Sequence, residues 1–118
     1  MASTIAVRRI YDPPSPADGS RVLVDRLWPR GVTKARADLD EWMRTLAPST
    51  DLRQWYDHVP ERFAEFARRY REELEQPEQA AALEQLRALA AKGPLTLLTA
   101  TKDPELSEAA VLVRVLGR

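Results

Sequence analysis

Short apolar runs and longer segments with helical spacing alternate along the chain, and proline or glycine separates most of them. Residues 5–11 alternate between two faces and predict a first strand. Residues 22–24 and 95–100 are continuous apolar runs, which are typical of strands covered on both faces. Three prolines and a glycine in residues 12–20 predict an irregular loop after the first strand. The pattern therefore predicts three short strands.

Helical spacing begins at Asp38 and occupies most of the middle of the chain. Leu39, Trp42, Met43 and Leu46 fall at i, i+3, i+4 and i+7, which predicts a helix that Pro48 ends. Capping residues and prolines mark the starts of the helices that follow: Ser49 or Thr50, Pro60, Pro77 and Asp103 with Pro104. Gly93 and Pro94 are expected to end the fourth helix. The last helix is expected directly after Asp103.

Strands followed by helices, and then a strand that leads into a helix, are typical of an α/β layer fold. The sequence predicts one α/β domain over residues 1–118, with a small, mainly parallel sheet flanked by helices in a three-layer, Rossmann-like arrangement. The strands at Val22 and Leu95 are expected to be parallel neighbours, because several helices separate them. The nine-residue loop leaves the direction of the first strand open.

The charge balance and the rare residue types exclude several kinds of site. Lys+Arg and Asp+Glu number 18 each, so the net charge is zero, which disfavours a dedicated non-specific nucleic-acid binder. The absence of cysteine excludes disulfides, thiolate catalysis and sulfur-ligated metals. The single histidine, His58, excludes a multi-histidine zinc site within one chain. We expect no metal and no cofactor.

The N-terminal residues 1–5 lack the apolar core of a signal peptide. Apolar runs elsewhere are too short to span a membrane. We therefore expect a cytoplasmic protein without a membrane partner.

Candidate chemistry is concentrated in the segment RVLVDRLWPRG, residues 21–31. Its apolar start predicts a strand, and Asp25, Arg26, Trp28 and Arg30 crowd together where that strand must stop. Ligands of open α/β sheets bind beyond the carboxyl ends of the strands.

A second segment, residues 99–103, should meet the first at the same edge of the sheet and supply Lys102 and Asp103. Two arginines, a lysine and a helix N-terminus predict an anion site. Asp25 could orient an arginine or act as a base.

Structural interpretations compete with these roles. Asp103 before Pro104 is most simply a helix cap. Trp28, Trp42 and Trp55 are more often packing residues than stacking platforms, and His58 is more often a local hydrogen-bonding residue than a general base. The arginines at 68, 69 and 71 are best explained as a solvated face paired with glutamates.

The segment RVLVDRLWPRGV resembles the YeaO-like proteins, domain-of-unknown-function family 488. The resemblance continues through residues 40–42, 46–49, 52–56 and 60–63 and ends with LTLLTATKD and the following AAVL, so it covers nearly the whole chain. It implies no established activity. Longer relatives in the wider family carry a Cys-His-Arg cluster after the last strand, where this chain has Leu106, Ser107 and Glu108, so the resemblance implies no nucleophile.

The leading hypothesis is a protein that binds a phosphate-bearing small ligand through an arginine-rich site. The expected site residues are Arg26, Trp28, Arg30, Lys102 and Asp103, with Asp25 as the catalytic candidate. The alternative is a regulatory module, without catalysis, that binds nucleic acid or a protein through the same arginines. A third interpretation is a structural charge network, and metal-assisted hydrolysis through Asp25, Asp103 and His58 is weaker still. The sequence leaves open whether a reaction is catalysed and whether the chain forms a homo-oligomer.

Overall fold

A computed structural model describes residues 4–117, so most of the segment considered for a signal peptide lies outside the described residues. Four strands form one sheet in the order β1-β4-β2-β3. Their bounds are Ile5–Arg9 for β1, Ser20–Leu23 for β2, Glu41–Trp42 for β3 and Leu95–Thr99 for β4. Every neighbouring pair is parallel. The predicted α/β class is confirmed.

The central pair of strands matches the sequence prediction. Val22 of β2 lies opposite Leu97 of β4, in parallel. The direction of β1, which the sequence left open, is now defined, because β1 pairs with the other side of β4 and not with β2. The proline-rich loop therefore carries the chain past β4. Gly19 closes this loop at φ 63°, and the amide of Ser20 donates to the carbonyl of Pro94 at 3.0 Å.

Five α-helices lie within the described residues. Their bounds are Lys34–Ala37 for α1, Thr50–Tyr56 for α2, Phe63–Glu73 for α3, Pro77–Lys92 for α4 and Glu108–Leu116 for α5. Several expected starts are confirmed: Ser49 caps α2, Pro60 opens a 3-10 turn that leads into α3, and Pro77 begins α4. None of the helices in residues 4–117 is both long and apolar enough to cross a membrane.

The helix predicted after Asp38 is wrong. Asp38 adopts a left-handed conformation (φ 49°) and ends α1, and the following residues form the short strand β3. The apolar residues that suggested one helical face pack on opposite faces of the sheet. Met43 and Leu46 join one core cluster, whereas Leu39 and Trp42 pack against the other. A helix would have placed all four on one side.

The predicted start of the last helix is also wrong. Residues 104–106 form a separate 3-10 turn, and α5 begins four residues later than Pro104, at Glu108. Ser107 separates the turn from α5. Its hydroxyl donates to the Pro104 carbonyl at 2.6 Å and accepts from the Ala110 amide at 3.4 Å. Glu108 therefore occupies the first position of α5.

The sheet separates two hydrophobic clusters. The larger one contains Val22, Leu97 and the aromatic series Tyr56, Phe66 and Tyr70, in which neighbouring rings lie 4.3 and 5.8 Å apart. The smaller one lies on the opposite face around Leu23, where α1 and the segment after β2 cover the sheet. Apolar side chains are thus buried on both faces, as the continuous apolar strands predicted.

Candidate functional site

A cleft of about 1180 Å³ lies at the carboxyl ends of β2 and β4. Residues 25–30 follow β2 and form one wall, residues 100–103 follow β4, and α2 with the start of α5 supplies the remainder. Every residue predicted for the site lines this cleft: Asp25, Arg26, Trp28, Arg30, Lys102 and Asp103. Residues about 70 positions apart meet there because parallel strands place their carboxyl ends along one edge.

Asp25 is fixed at the base of the cleft by groups from β4 and the residue after it. One carboxylate oxygen accepts a hydrogen bond from the Thr99 hydroxyl at 2.8 Å, and the other accepts from the Ala100 amide at 2.7 Å. The backbone carbonyl of Asp25 accepts from the Trp42 indole at 2.7 Å. Within residues 4–117, Asp25 forms no ion pair with Arg26. Its partners therefore stabilise the carboxylate in one orientation.

Glu108 meets Asp25 in the cleft, and the sequence analysis did not assign it a role. Burial raises the pKa of Glu108 well above its usual range, and the hydrogen bond and negative charge of Asp25 raise it further, while Arg53 opposes the shift. The two carboxyl groups therefore interact directly with each other in the cleft. The sequence contained a signal that places Glu108 near Asp25. Glu108 directly follows the Ser107 cap, and a helix that follows β4 begins at the edge of the sheet where Asp25 lies.

Four cationic side chains line the cleft: Arg26, Arg30, Arg53 and Lys102. Arg26 donates from one terminal nitrogen to the Pro48 carbonyl at 3.3 Å, but its Nε is buried without a hydrogen-bond partner. Arg30 and Lys102 are exposed. Arg53 extends from α2 and was missed, because no pattern in the sequence places α2 beside the two strand ends.

The cleft cations differ from the arginines of α3 in their pairing. Among the residues the structure describes, none of the four forms an ion pair within 4.0 Å. Arg68 and Arg69 instead pair with Glu65, and their hydrogen bonds lower the pKa of Glu65 to about 2. The predicted solvated, paired face is confirmed for these two. It is wrong for Arg71, which is partly buried and whose Nε has no partner.

The tryptophans pack, as the structural interpretation expected. The Trp28 indole donates to the Val32 carbonyl at 2.6 Å and meets Trp42 edge to face at 5.3 Å. Trp55 lies outside this pair and contacts the guanidinium groups of Arg62 and Arg69. The apolar rim of the cleft is therefore Leu27, which at 65% exposure is the one exposed large hydrophobic side chain in residues 4–117.

Asp103 caps a helical turn, as the simpler interpretation expected, although the turn is the separate 3-10 turn. Its carboxylate accepts from the Glu105 amide at 3.3 Å. His58 lines the cleft and is exposed, in a left-handed conformation (φ 55°) directly after Asp57 (φ 46°). Residues 4–117 contain no cluster of three or more histidine, aspartate or glutamate side chains placed to hold a metal ion.

Comparison with known proteins identifies close relatives of unknown function. The chain is 47% identical over 113 residues to an uncharacterised protein of Mycobacterium tuberculosis, covering 96% of this chain and 93% of the relative. It is 44% identical over 108 residues to the uncharacterised protein YeaO of Escherichia coli, covering 92% of each. No solved structure is significantly similar. The family profile described as "Inactive DUF488-N3 subclade" matches residues 4–118. The chain is therefore a YeaO-like protein and belongs to the DUF488 family, in the branch described as its inactive N3 subclade.

Proposed function

We propose that this protein is a binding domain for a small, phosphate-bearing ligand, which it holds in the cleft at the carboxyl ends of β2 and β4. Arg26, Arg30 and Lys102 contact the anionic group, and Arg53 adds a fourth positive charge. Trp28 shapes the wall of the cleft, and Asp103 caps the 3-10 turn that follows Lys102. These residues would bind the ligand through charge and shape and would not catalyse a reaction.

The observation that carries this proposal is the set of four cleft cations without carboxylate partners in the described chain. Asp25, Asp57, Asp103 and Glu108 line the same cleft, but none of them forms an ion pair with these cations within 4.0 Å. The four cations are therefore not occupied by carboxylates of the described chain. Guanidinium groups bind phosphate through paired, charge-assisted hydrogen bonds, which an isolated cation at a solvated surface rarely provides.

The buried Nε of Arg26 supports the same proposal. A buried donor without a partner costs about 1–3 kcal/mol. A ligand oxygen that draws the guanidinium toward the cleft would relieve this cost, so part of the ligand's binding energy would come from satisfying Arg26. A purely structural charge network would instead leave each arginine paired.

The size of the cleft favours a metabolite over a bare phosphate ion. Small-molecule sites usually measure about 300–1000 Å³, and this cleft, at about 1180 Å³, is larger. Leu27 offers apolar surface at the rim, next to Arg26. The ligand should therefore carry an organic part beside its phosphate.

The contacts of Asp25 support binding without a catalysed reaction. Both carboxylate oxygens of Asp25 already accept hydrogen bonds, one from the Thr99 hydroxyl and one from the Ala100 amide. These contacts hold both carboxylate oxygens against β4 and the residue after it, and not toward a ligand. The description of the matching subclade as inactive supports the same conclusion.

Thermal unfolding in the presence of anions tests the proposal. A ligand that binds only the folded state raises the melting temperature by mass action. Phosphate and pyrophosphate should therefore raise the melting temperature above that in sodium chloride of equal ionic strength. Arg30→Ala and Lys102→Ala should each reduce this rise, while the stability without anion stays within about 0.5 kcal/mol, since exposed substitutions cost little.

The matched control is Lys92→Ala, which removes an exposed lysine at the end of α4, outside the cleft. Its response to anions should equal that of the wild type. The proposal fails if phosphate has no effect beyond that of sodium chloride. It also fails if Arg30→Ala destabilises the protein strongly and leaves the anion response unchanged, because the cluster would then be structural.

A further inference from the structure

The outer edge of β1 has unpaired backbone groups. Ile10 donates to the Thr99 carbonyl and the Thr4 carbonyl accepts from Leu95, both at 2.9 Å. Because hydrogen bonding alternates along a strand, Ala6 and Arg8 direct their backbone groups toward β4, and Ile5, Val7 and Arg9 direct theirs outward. Asp12 binds both groups of Arg9, at 3.3 and 3.0 Å. Within residues 4–117, Ile5 and Val7 keep theirs free.

Charged side chains usually protect such an edge from pairing, but those of β1 are bound elsewhere in the chain. Arg8 pairs with Asp18 at 3.2 Å. The Nε of Arg9 donates to the Thr101 carbonyl at 3.3 Å, and its guanidinium lies 5.1 Å from the centre of the Tyr11 ring. Neither arginine head therefore blocks the edge, and long, unprotected edges are the sites where strands of other chains add.

An apolar groove runs beside this edge, between β1 and α5. Ile5, Val7, Ala110 and Val113 line it together with Pro104, over about 230 Å³. Glu105 lies at the start of the groove, in the turn before α5, and Arg114 lies near the C-terminal end of α5. Both are exposed, and neither forms an ion pair within the described residues. The groove thus has opposite charges at its two ends.

We infer that this face binds a second copy of the chain, with the two β1 strands antiparallel across a twofold axis at Val7. The amide of each Val7 donates to the carbonyl of the other, and this is the position where the two edges join, because Asp12 occupies the backbone groups of Arg9. The same axis makes the two α5 helices antiparallel. Each groove then places Glu105 opposite Arg114 of the second copy, so the charge pattern is self-complementary, as a twofold interface requires.

The spacing of the elements agrees with this arrangement. Paired strands lie about 4.8 Å apart, and packed helices lie about 8–10 Å apart. Because α5 lies over β1 and β4, a twofold axis at the edge of β1 would bring the two copies of α5 to about that helix separation. Val113 of each copy would then fill the groove of the other, where one chain alone leaves it open.

Charge reversal at the two exposed groove ends tests the dimer without disturbing the core. Sedimentation over a range of protein concentrations should show a dimer for the wild type. Glu105→Arg or Arg114→Glu alone creates two like-charge contacts across the axis and should raise the dissociation constant more than about tenfold. The double variant exchanges the charges and should restore most of the affinity, and Lys92→Glu, outside the groove, should change nothing.

Amide exchange identifies the strand pairing independently of these variants. The Val7 amide should exchange more slowly as protein concentration rises, while the amide of exposed Lys102 should not change. A wild type that stays monomeric at high concentration overturns the inference. A dimer that both single charge reversals leave intact overturns it too, as does a dimer whose Val7 amide gains no protection. A monomeric protein that captures a different chain at this edge would also overturn it.

Discussion

Replacing Glu108 by glutamine should change the pH dependence of stability more than the stability itself. Glutamine has the shape of a neutral glutamic acid, and its amide can donate to Asp25 as a protonated carboxyl would. Burial, followed by the hydrogen bond and charge of Asp25, raises the pKa of Glu108 well above 4.5, its value in an unfolded chain. The folded protein therefore holds a proton that the unfolded chain releases as the pH rises.

The sign and size of the effect follow from proton linkage. Below pH 4.5 both states carry the proton, and Glu108 adds no pH dependence. Above it, the unfolded state ionises first, so the unfolding free energy of the wild type falls as the pH rises. One proton difference changes this free energy by about 1.4 kcal/mol per pH unit. Glu108→Gln removes this slope and should become the more stable protein above pH 4.5.

Chemical denaturation at several pH values between 4.5 and 7 measures this difference, at one protein concentration throughout. The midpoint of the pH dependence belongs to the interacting Asp25–Glu108 pair and not to either group alone. Glu75→Gln is the matched control, because Glu75 is exposed. Parallel stability curves for the wild type and Glu108→Gln would refute the reasoning, since Glu108 would then ionise normally in the folded state.

Three further predictions concern the core, the loop between β1 and β2, and nucleic acid. Leu97 is fully buried. Leu97→Ala should therefore lower the free energy of unfolding, measured by urea denaturation, by about 2–5 kcal/mol. A loss below about 0.5 kcal/mol would show that β4 is not part of the core. Gly19→Ala should be more destabilising than Gly31→Ala in the same assay. Both glycines have positive φ, but a Cβ at Gly19 would lie 2.1 Å from the Pro94 carbonyl oxygen, whereas the one at Gly31 meets open space; equal losses would contradict this. Binding to random DNA should be weak and strongly salt-dependent, and tight binding at physiological salt in a filter or fluorescence assay would favour the nucleic-acid alternative.

The sequence predicted the sheet well where one kind of residue decides the structure. The apolar runs at Val22 and Leu95 have to be covered on both faces, and only neighbouring central strands satisfy that. Single residues at helix starts were equally informative. The Ser49 hydroxyl accepts from the Leu52 amide, and the fixed backbone angle of Pro77 suits the first turn of a helix. These signals are local, so they can be read without knowing the rest of the fold.

The errors arose where one local pattern had two tertiary explanations. Residues 39–46 have helical spacing, but Trp42 pairs with β2 and Met43 lies on the opposite side of the sheet. The strand ends predicted the position of the cleft, and Arg26, Arg30 and Lys102 line it as expected. Arg53 was missed because its position depends on how α2 packs against the sheet, which spacing along the chain does not encode. Glu108 was missed because the start of α5 was predicted at Pro104 and lies four residues later.

Amide chemical shifts during a titration with pyrophosphate test the anion site most directly. The proposal predicts saturable shifts confined to residues 25–31, 53–58 and 100–108, and their loss in Arg30→Ala. Shifts that stay linear in concentration, or that centre on the exposed arginines of α3, would contradict it. In that case the unpaired cations of the cleft would not form a binding site.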